Sequence, residues 1–401
     1  MLDILIIAQY TPLPIDTKVG RFNYIAERIA KNLNCNVEIV TTNFNHNKKK
    51  HIDKREVVET NYKYTMLNEK GYKKNVCLKR ILSHRGLAKN LKKYLKARNK
   101  PDVIYCAVPS LSYANVAAQY AKNNNVRFII DIQDLWPEAF EMVFNLPILS
   151  SIVFGPMKSM ANKIYKQAND IIAVSETYLD RARRVNKEYC SCESVFLGTE
   201  KDDFDKYVSN EKRSSLTKDI WLVYVGTLGH SYDLTGVFDA LSILKEKGYN
   251  NVRFLVLGDG PLKSKFVKYA DKIGVSVEFA GRLPYSEMVT RLTECDIAIN
   301  PIMHGAAQSI INKVGDYAMA GLPVISTQEC IEYRELLEKY DAGINCDNGN
   351  VVQLADTILM LCEDKERRLE LGNNNRKLAE ELFDRRYSYS IIEKTILKSR
   401  Y

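Results

Sequence analysis

Long apolar runs are absent from this sequence of 401 residues, and no pair of cysteines has the spacing of a zinc site. A helix that spans a bilayer needs about 20 consecutive apolar residues, so we expect no membrane-spanning segment. The apolar run 2–8 is interrupted by Asp3 and follows no basic region, so we expect no secretory signal peptide there. The nine cysteines are odd in number and scattered, which is typical of reduced thiols in a cytoplasmic protein.

Aspartate and glutamate are missing from residues 71–100, a window that contains eight lysines and three arginines and therefore carries +11. The whole chain carries +9, so the remainder is slightly acidic. Apolar residues recur in the window at helical spacing, at Leu78, Leu82, Leu87, Leu91 and Leu95. A basic amphipathic helix of this kind either binds an anionic membrane surface or presents an ordinary solvated face. We expect no nucleic-acid partner, because no series of base-stacking aromatic residues accompanies the charge.

Short apolar runs alternate with amphipathic segments, and this alternation predicts an α/β fold with a parallel sheet in each of two domains. In the first half we expect strands at 4–8, 37–42, 103–107, 128–132, 171–174 and 195–197, and helices at 22–33 and 110–121. In the second half we expect strands at 221–226, 252–257, 277–279, 297–300 and 324–327, and helices at 234–247, 262–273, 285–293 and 310–320.

The stretch 198–218 is polar and charged, and we expect the inter-domain linker there. The expected organisation is an N-terminal Rossmann-like domain over 1–200, a C-terminal Rossmann-like domain over 201–383, and a last helix over 384–401 that packs back on the N-terminal domain. Two such domains would face each other across a cleft at the carboxyl ends of their strands, where ligands of parallel α/β sheets bind.

The most informative segment is Asp296–Thr327, in which an apolar run leads through small and polar residues into a helix-like stretch. The first N–H groups of a helix have no intrahelical partner and the dipole is positive there, so such a loop is an anion site. Lys313 falls in the first turn, where a cation is unfavourable unless an anion neutralises it. Asp316 follows one turn later, and Ser309 lets a ligand approach the backbone closely. A phosphate-bearing ligand with a hydroxylated neighbour suits this set.

Three further loops follow predicted strands of the second half. They contain Gly226, Thr227, Gly229 and His230 in the first, Gly258 and Gly260 in the second, and Arg282 and Leu283 in the third. Glycines permit tight turns, and the N–H groups of such loops can hold phosphate. Arg282 either contacts a phosphate or a base, or is an ordinary solvated turn residue.

These motifs resemble the nucleotide-sugar domain of GT-B-fold glycosyltransferases in the large retaining family 4. The second half carries VGTLG, LGDGP, GRLPYSE and NKVGDYAMAGLPVIST in that family's order. The first half carries DIQDLWPE at 131–138, which is similar to the DxRDLWPE block of a branch acting in bacterial surface-polysaccharide assembly, including N-acetylfucosamine transferases. The resemblance covers nearly the whole chain. It implies the GT-B architecture, with an acceptor-binding first domain and a donor-binding second domain.

The resemblance also implies roles for single residues. The family's two glutamates, eight residues apart, fall on Gln308, beside the donor sugar, and on Asp316, which would bind the nucleotide ribose. Lys313 would replace the family's missing basic pair and, with His230 and the loop amides, would stabilise the diphosphate leaving group without a metal. We therefore expect no metal and no cofactor besides the nucleotide sugar.

The first half supplies the candidates for catalysis and for binding the acceptor. Asp131 and Asp134 are the candidate catalytic carboxylates, although Asp134 is alternatively the N-cap of a short helix. Thr17, Lys18 and Arg21 are candidates to meet a phosphate-bearing acceptor, and Glu138 is a further acceptor-binding candidate.

The sequence therefore predicts a cytoplasmic glycosyltransferase, peripheral to the inner face of the plasma membrane. It would move a hexosyl or N-acetylhexosaminyl group from a nucleoside diphosphate, UDP being the expected nucleotide, to a glycan or polyprenyl-diphosphate acceptor with retention. Two alternatives stay open. One is a GT-B-fold UDP-sugar 2-epimerase, and the other is a non-catalytic relative that binds a partner enzyme.

Overall fold

The computed structural model describes residues 1–13, 20–32, 35–53, 59–74, 77–140, 147–306, 310 and 312–398. The chain divides into two compact units, one formed by Met1–Val195 with Tyr389–Tyr401 and the other by Phe196–Ser388. Among the described residues, no helix is both long and apolar enough to cross a membrane.

The first unit contains, within the described ranges, a seven-stranded parallel sheet and a short antiparallel hairpin. Its strands are β1 (Leu2–Ile7), β2 (Cys35–Thr42), β3 (Phe44–Asn45), β4 (Lys50–His51), β5 (Lys63–Leu67), β6 (Val103–Val108), β7 (Arg127–Ile132), β8 (Asp170–Ala173) and β9 (Ser191–Ser194). The order across the sheet is β5-β2-β1-β6-β7-β8-β9, and β3 and β4 form the hairpin. Strands β6 and β7 are buried at every position, which explains their nearly continuous apolar sequence.

Helices of the first unit connect these parallel strands. They are α1 (Arg21–Ala30), α2 (Leu78–Ala97), α3 (Leu111–Asn123), α4 (Pro147–Gln167) and α5 (Glu176–Arg183). Helix α2 is the basic helix, but its apolar face is shorter than the leucine spacing predicts. Leu87, Leu91 and Leu95 are buried, whereas Leu78 and Leu82 are 77% and 60% exposed.

The second unit contains six parallel strands in one sheet, counted over its described residues. They are β10 (Ile220–Val225), β11 (Val252–Leu257), β12 (Val277–Gly281), β13 (Ile297–Asn300), β14 (Val324–Ser326) and β15 (Gly343–Asn345), in the order β12-β11-β10-β13-β14-β15. One apolar core packs around Phe238 and Phe254, and another packs around Tyr317 and Phe383.

Helices of the second unit alternate with these strands. They are α6 (Lys201–Asp205), α7 (Arg213–Thr217), α8 (Leu234–Glu246), α9 (Lys263–Ile273), α10 (Tyr285–Thr293), α11 (Asn312–Met319), α12 (Ile331–Tyr340), α13 (Val351–Glu363), α14 (Lys365–Leu378) and α15 (Arg385–Ser388). A π-helical turn, Ala379–Phe383, lies between the last two.

Some elements differ from the sequence-based expectation. The last strand of the first sheet is Ser191–Ser194 and not 195–197. Strands β5 and β15 lie outside the expected segments, because their residues are only partly buried and lack the apolar run of a central strand. The polar stretch 198–218 falls in the second unit and contains α6 and α7, since the fully buried Phe204 anchors it to that core.

The chain returns to the first unit in its last helix, α16 (Ser390–Leu397). Arg127 on β7 donates to the main-chain carbonyls of Thr395 and Ile396 and forms a 2.7 Å ion pair with the fully buried Asp170. Because the last carbonyls of a helix have no intrahelical partner, these bonds cap α16 and hold it on the first sheet.

Candidate functional site

Two glycine loops of the second unit, which follow β10 and β11, touch through their main chains. The N–H of Leu228 donates to the carbonyl of Asp259 at 3.0 Å. A Cβ added at Gly258 would lie 1.8 Å from the carbonyl oxygen of Gly226, and one added at Gly260 would lie 2.3 Å from that of Leu228. Only glycine permits this approach, so the two loops form one continuous backbone surface.

The side chain of Lys313 runs from the first turn of α11 to this surface. A Cβ added at Gly226 would lie 2.7 Å from Nζ of Lys313. Nζ donates a hydrogen bond to the Tyr224 hydroxyl at 3.1 Å and lies 3.6 Å from the centre of the Tyr232 ring. Because Lys313 is only 8% exposed, its amine is enclosed by the glycine loop and the two tyrosines.

The surroundings of Lys313 oppose a positive charge. Burial lowers the pKa of this amine well below its usual value, and no carboxylate of the described chain offsets that effect. Cation–π attraction to the rings of Tyr224 and Tyr232 offsets part of the hydration free energy that the ammonium loses on burial. Such an interaction contributes about 0.5–2 kcal/mol in general. Since burial also raises the pKa of Tyr224, that hydroxyl stays neutral and supplies no counter-charge. A buried amine without an anion is costly, so the site is suited to an anionic ligand.

The loop after β13 is fastened to its neighbours. The N–H of Met303 donates to the carbonyl of Ser231 at 3.1 Å. Glu329, which lies beyond β14, accepts from the N–H of Gly305 at 3.0 Å and has its other oxygen 2.7 Å from Nδ1 of His304. The bonds from Gly305 and His304 lower the pKa of Glu329. The described stretch 303–305, which follows β13, is therefore held by an ionised carboxylate.

Asp316 lies one turn after Lys313 on α11 and is 4% exposed. Its Oδ1 accepts hydrogen bonds from the hydroxyls of Thr199, at 2.8 Å, and Tyr285, at 3.2 Å. Burial and this carboxylate raise the pKa of Tyr285. Asp316 is thus a fixed hydrogen-bond acceptor on the same helix as Lys313.

The remaining donor-site candidates differ in exposure. Thr227, His230 and Arg282 are exposed, and no hydrogen bond or ion pair of the described residues engages their side chains. Leu283 packs against the core around Tyr317. Gln308 and Ser309, and the acceptor candidates Thr17 and Lys18, lie outside the described residues. In the described part of the chain, no group of three or more His, Cys, Asp or Glu side chains is arranged to hold a metal ion.

Asp131 and Arg21 form a buried ion pair in the first unit. Oδ2 of Asp131 accepts from Nε of Arg21 at 2.7 Å and from the hydroxyl of Tyr105 at 2.6 Å. Arg21 also donates to the carbonyl of Val195 at 3.1 Å and lies over the ring of Tyr389. Asp131 is fully buried and Arg21 is 5% exposed. The two side chains therefore pair with each other in the interior of the first unit, and a role for either of them toward substrate stays a prediction.

Asp134 and Glu138 are also engaged by neighbouring side chains. Asp134 accepts from the N–H of Leu135 at 2.9 Å and from the indole of Trp136 at 3.0 Å, and burial raises its pKa. These two bonds hold the adjoining turn and the indole in place. Neither is the usual N-cap bond, which runs to the N–H of the second or third helical residue. Glu138 forms an ion pair with Arg181.

Sequence reasoning missed Tyr224, Tyr232 and Glu329. Tyr224 reads as a core strand residue, and its contact with Lys313 spans 89 residues of sequence. An aromatic residue directly after a glycine loop was the available signal for Tyr232. Glu329 follows a strand of the same sheet as the loop it holds, and loops that follow parallel strands meet at one edge.

Known proteins resemble this chain in sequence and in fold. Residues 206–378 match the family model described as glycosyl transferases group 1. Sucrose-phosphate synthase from Thermosynechococcus elongatus superposes with a TM-score of 0.75 at 15% identity, over 98% of each chain. Anabaena HepE in complex with UDP superposes with a TM-score of 0.69 at 16% identity, over 98% of this chain and 99% of that one. The α/β fold with two parallel sheets is therefore the expected GT-B fold.

A curated relative is similar over a shorter segment. It is an N-acetyl-D-galactosaminyltransferase of Campylobacter jejuni, named for a diNAcBac-PP-undecaprenol-linked substrate, and it is 24% identical over 115 residues. The match covers 25% of this chain and 32% of that protein. With the domain at 206–378, these findings support a glycosyltransferase enzyme.

Proposed function

We propose that this protein is a glycosyltransferase that moves a sugar from a UDP-linked donor to a glycan or polyprenyl-diphosphate acceptor, with retention, in bacterial surface-polysaccharide synthesis. The group 1 glycosyl transferase domain supports the reaction class. The Anabaena protein crystallised with UDP supports the nucleotide, and the name of the Campylobacter relative supports a lipid-linked acceptor.

The observation that carries this proposal is the buried amine of Lys313. It lies beside the Gly226 loop, in the first turn of a helix, and the described residues give it no carboxylate. The diphosphate of a nucleotide sugar supplies the missing charge, and helix N–H groups and loop amides supply donors for its oxygens.

The proposed chemistry is stabilisation of the leaving group. When the bond from the anomeric carbon to the phosphate oxygen breaks, negative charge develops on the diphosphate, and Lys313, His230 and the loop amides stabilise it. Asp316 accepts from the ribose hydroxyls, and Arg282 contacts the phosphate or the base. Gln308 and Ser309 are proposed to contact the donor sugar. No metal is needed in this scheme.

The acceptor side follows from retention. In a same-face reaction the leaving phosphate oxygen takes the proton of the acceptor hydroxyl as that hydroxyl attacks, so no separate base is required. Asp134 remains the candidate carboxylate near the acceptor, whereas Asp131 serves to hold Arg21. Thr17 and Lys18 are proposed to meet the acceptor phosphate.

An exposed face of α2 supports a peripheral membrane location. Leu78, Ile81 and Leu82 are 77%, 49% and 60% exposed. The same helix exposes Lys79, Arg85, Lys89, Lys92 and Lys93, and none of these cations has an ion-pair partner among the described residues. Apolar side chains that can enter a headgroup region, next to cations, are typical of a helix that lies on an anionic bilayer.

Vesicle flotation tests the membrane part. We expect wild-type protein to float with vesicles containing anionic lipid and not with neutral vesicles. Lys89→Glu with Lys92→Glu should abolish flotation, whereas the matched pair Lys265→Glu with Lys268→Glu, on the exposed face of α9, should not. Equal recovery with both vesicle types would contradict the proposal.

Incubation with UDP-sugars and a membrane extract tests the activity. Transfer of labelled sugar to lipid or glycan supports the proposal, and its loss in Lys313→Gln, with UDP binding reduced in calorimetry, supports the site. Conversion of the free UDP-sugar to its 2-epimer would favour the epimerase alternative. Neither product, together with no UDP binding, would favour the non-catalytic alternative.

A further inference from the structure

Lys313 lies where an ammonium is disfavoured before any ligand binds. Lys313 is only 8% exposed. It also lies in the first turn of α11, where the helix dipole adds positive potential. Burial is the cause that lowers the pKa of this amine. The neutral amine is thereby favoured in the free protein more than at an ordinary surface lysine.

The titratable groups around the amine of Lys313 do not reverse this preference for its neutral form. Tyr224 faces it from β10 and Tyr232 from the loop before α8. Burial raises the pKa of Tyr224, so its hydroxyl supplies no negative charge. On its own helix, Asp316 is occupied by the hydroxyls of Thr199 and Tyr285. Asp233, next to Tyr232, caps α8 through the N–H of Gly236 at 2.9 Å.

We propose that Lys313 takes up a proton from solvent when the diphosphate of the donor enters, so that donor binding is coupled to protonation of this one amine. The inference rests on the proposed function, because it assumes that Lys313 is the diphosphate ligand. It goes further by naming the protonation step that binding requires.

The same geometry stabilises the ammonium once the anion is present. An opposite charge within about 4–6 Å changes a pKa by about 1 to 3, and a diphosphate carries more than one negative charge. The two tyrosine rings, with centres 4.3 and 3.6 Å from Nζ, then favour the charged form by cation–π attraction. The aromatic cage therefore suits a group that gains its charge on binding.

Proton uptake gives donor binding a characteristic pH dependence. Between the pKa of the amine in the free protein and its higher pKa in the complex, the affinity for diphosphate falls about tenfold per pH unit as pH rises. An ordinary lysine, charged in both states until about pH 10, would give no slope near pH 8. Uridine has no phosphate, so its binding should involve no proton.

Isothermal titration calorimetry with UDP tests the inference on the intact protein. Titrations at pH 8 in HEPES and in Tris, which differ in ionisation enthalpy, yield the number of protons taken up. The terminal phosphate of UDP is already ionised at this pH because its pKa is about 6. We expect about one proton per UDP. UDP binding without proton uptake would overturn this inference and leave the proposed function intact, whereas no UDP binding in either buffer would contradict the proposed function itself.

Two variants identify the side chain that takes up the proton. His230 is the other group in the proposed site able to gain a proton, so His230→Gln should keep the uptake of about one proton per UDP. Loss of the uptake in this variant would transfer the proton to His230 and overturn the inference. Lys313→Arg should bind UDP without proton uptake, because arginine is charged in both states. Uptake that persists in Lys313→Arg would likewise overturn it.

Discussion

A Cβ added at Gly226 would lie 2.7 Å from Nζ of Lys313. The amine of Lys313, on helix α11, therefore packs directly against the first glycine loop of the second unit, although the two residues are far apart in sequence. Gly226 also has a φ of +151°, in the range that side-chain-bearing residues rarely adopt. The glycine is needed both for its backbone conformation and for the room it leaves to the amine.

Gly226→Ala should weaken UDP binding about 10- to 100-fold, because overpacking of this size costs about 1–3 kcal/mol. Calorimetry with UDP measures the effect. Gly315→Ala on α11 is the control, since its Cβ would meet nothing closer than 3.6 Å. If both variants bind UDP as tightly as wild type, the loop does not form the amine's binding surface.

Asp316→Asn should remove discrimination between UDP and 2′,3′-dideoxy-UDP. If the carboxylate accepts from ribose hydroxyls, wild type should prefer UDP about tenfold or more, since hydrogen bonds to charged groups contribute about 1.5–3 kcal/mol. Thr199→Val removes a neighbour of the carboxylate and should lower stability but retain the preference. A preference that survives in Asp316→Asn would mean that Asp316 is only structural.

Glu329→Gln should raise the Kd for UDP by roughly threefold. The change removes the charge that holds His304 and Gly305 at the surface, and an exposed charged contact contributes about 0.2–1 kcal/mol. Glu335→Gln, at an exposed position of α12, is the matched control. An unchanged Kd in Glu329→Gln would show that donor binding does not depend on this fastening of the loop.

Arg127→Met should destabilise the protein by about 3–5 kcal/mol, because it leaves the fully buried Asp170 without its counter-ion. Adding Asp170→Asn should recover part of that loss. Urea unfolding of the two variants measures the difference. If the double variant is no more stable than the single one, the loss comes from the uncapped carbonyls of α16 and not from the stranded carboxylate.

His84 should make the protein less stable as pH falls. Burial, with Arg80 and His46, lowers the pKa of His84 to about 3, whereas an unfolded histidine titrates near 6.5. Between these two pH values His84 is protonated in the unfolded chain and neutral in the folded protein. The free energy of unfolding therefore declines as pH drops below about 6.5. Thermal melts from pH 7.5 to 4.5 should show a shallower decline for His84→Gln, and identical slopes would contradict this.

The sequence by itself determined the α/β class, most of the parallel strands, the basic helix and the glycine loops that follow consecutive strands. These follow from local rules: apolar runs buried on both faces, helical spacing of leucines, and turns that only glycine can make. The alternation of runs is enough to predict two parallel sheets, because parallel strands require crossover helices.

Only the tertiary structure shows which charged side chains are paired with another residue and which are buried without a counter-ion. The sequence predicts Asp131, at the end of a strand, as a catalytic carboxylate, and only the fold shows that it is fully buried and paired with Arg21, 110 residues away in sequence. The sequence predicts Lys313 as an anion ligand, but only the fold shows that its amine is buried against the rings of Tyr224 and Tyr232. Ion pairing and desolvation depend on neighbours that the fold brings together from distant parts of the chain, so no local pattern records them.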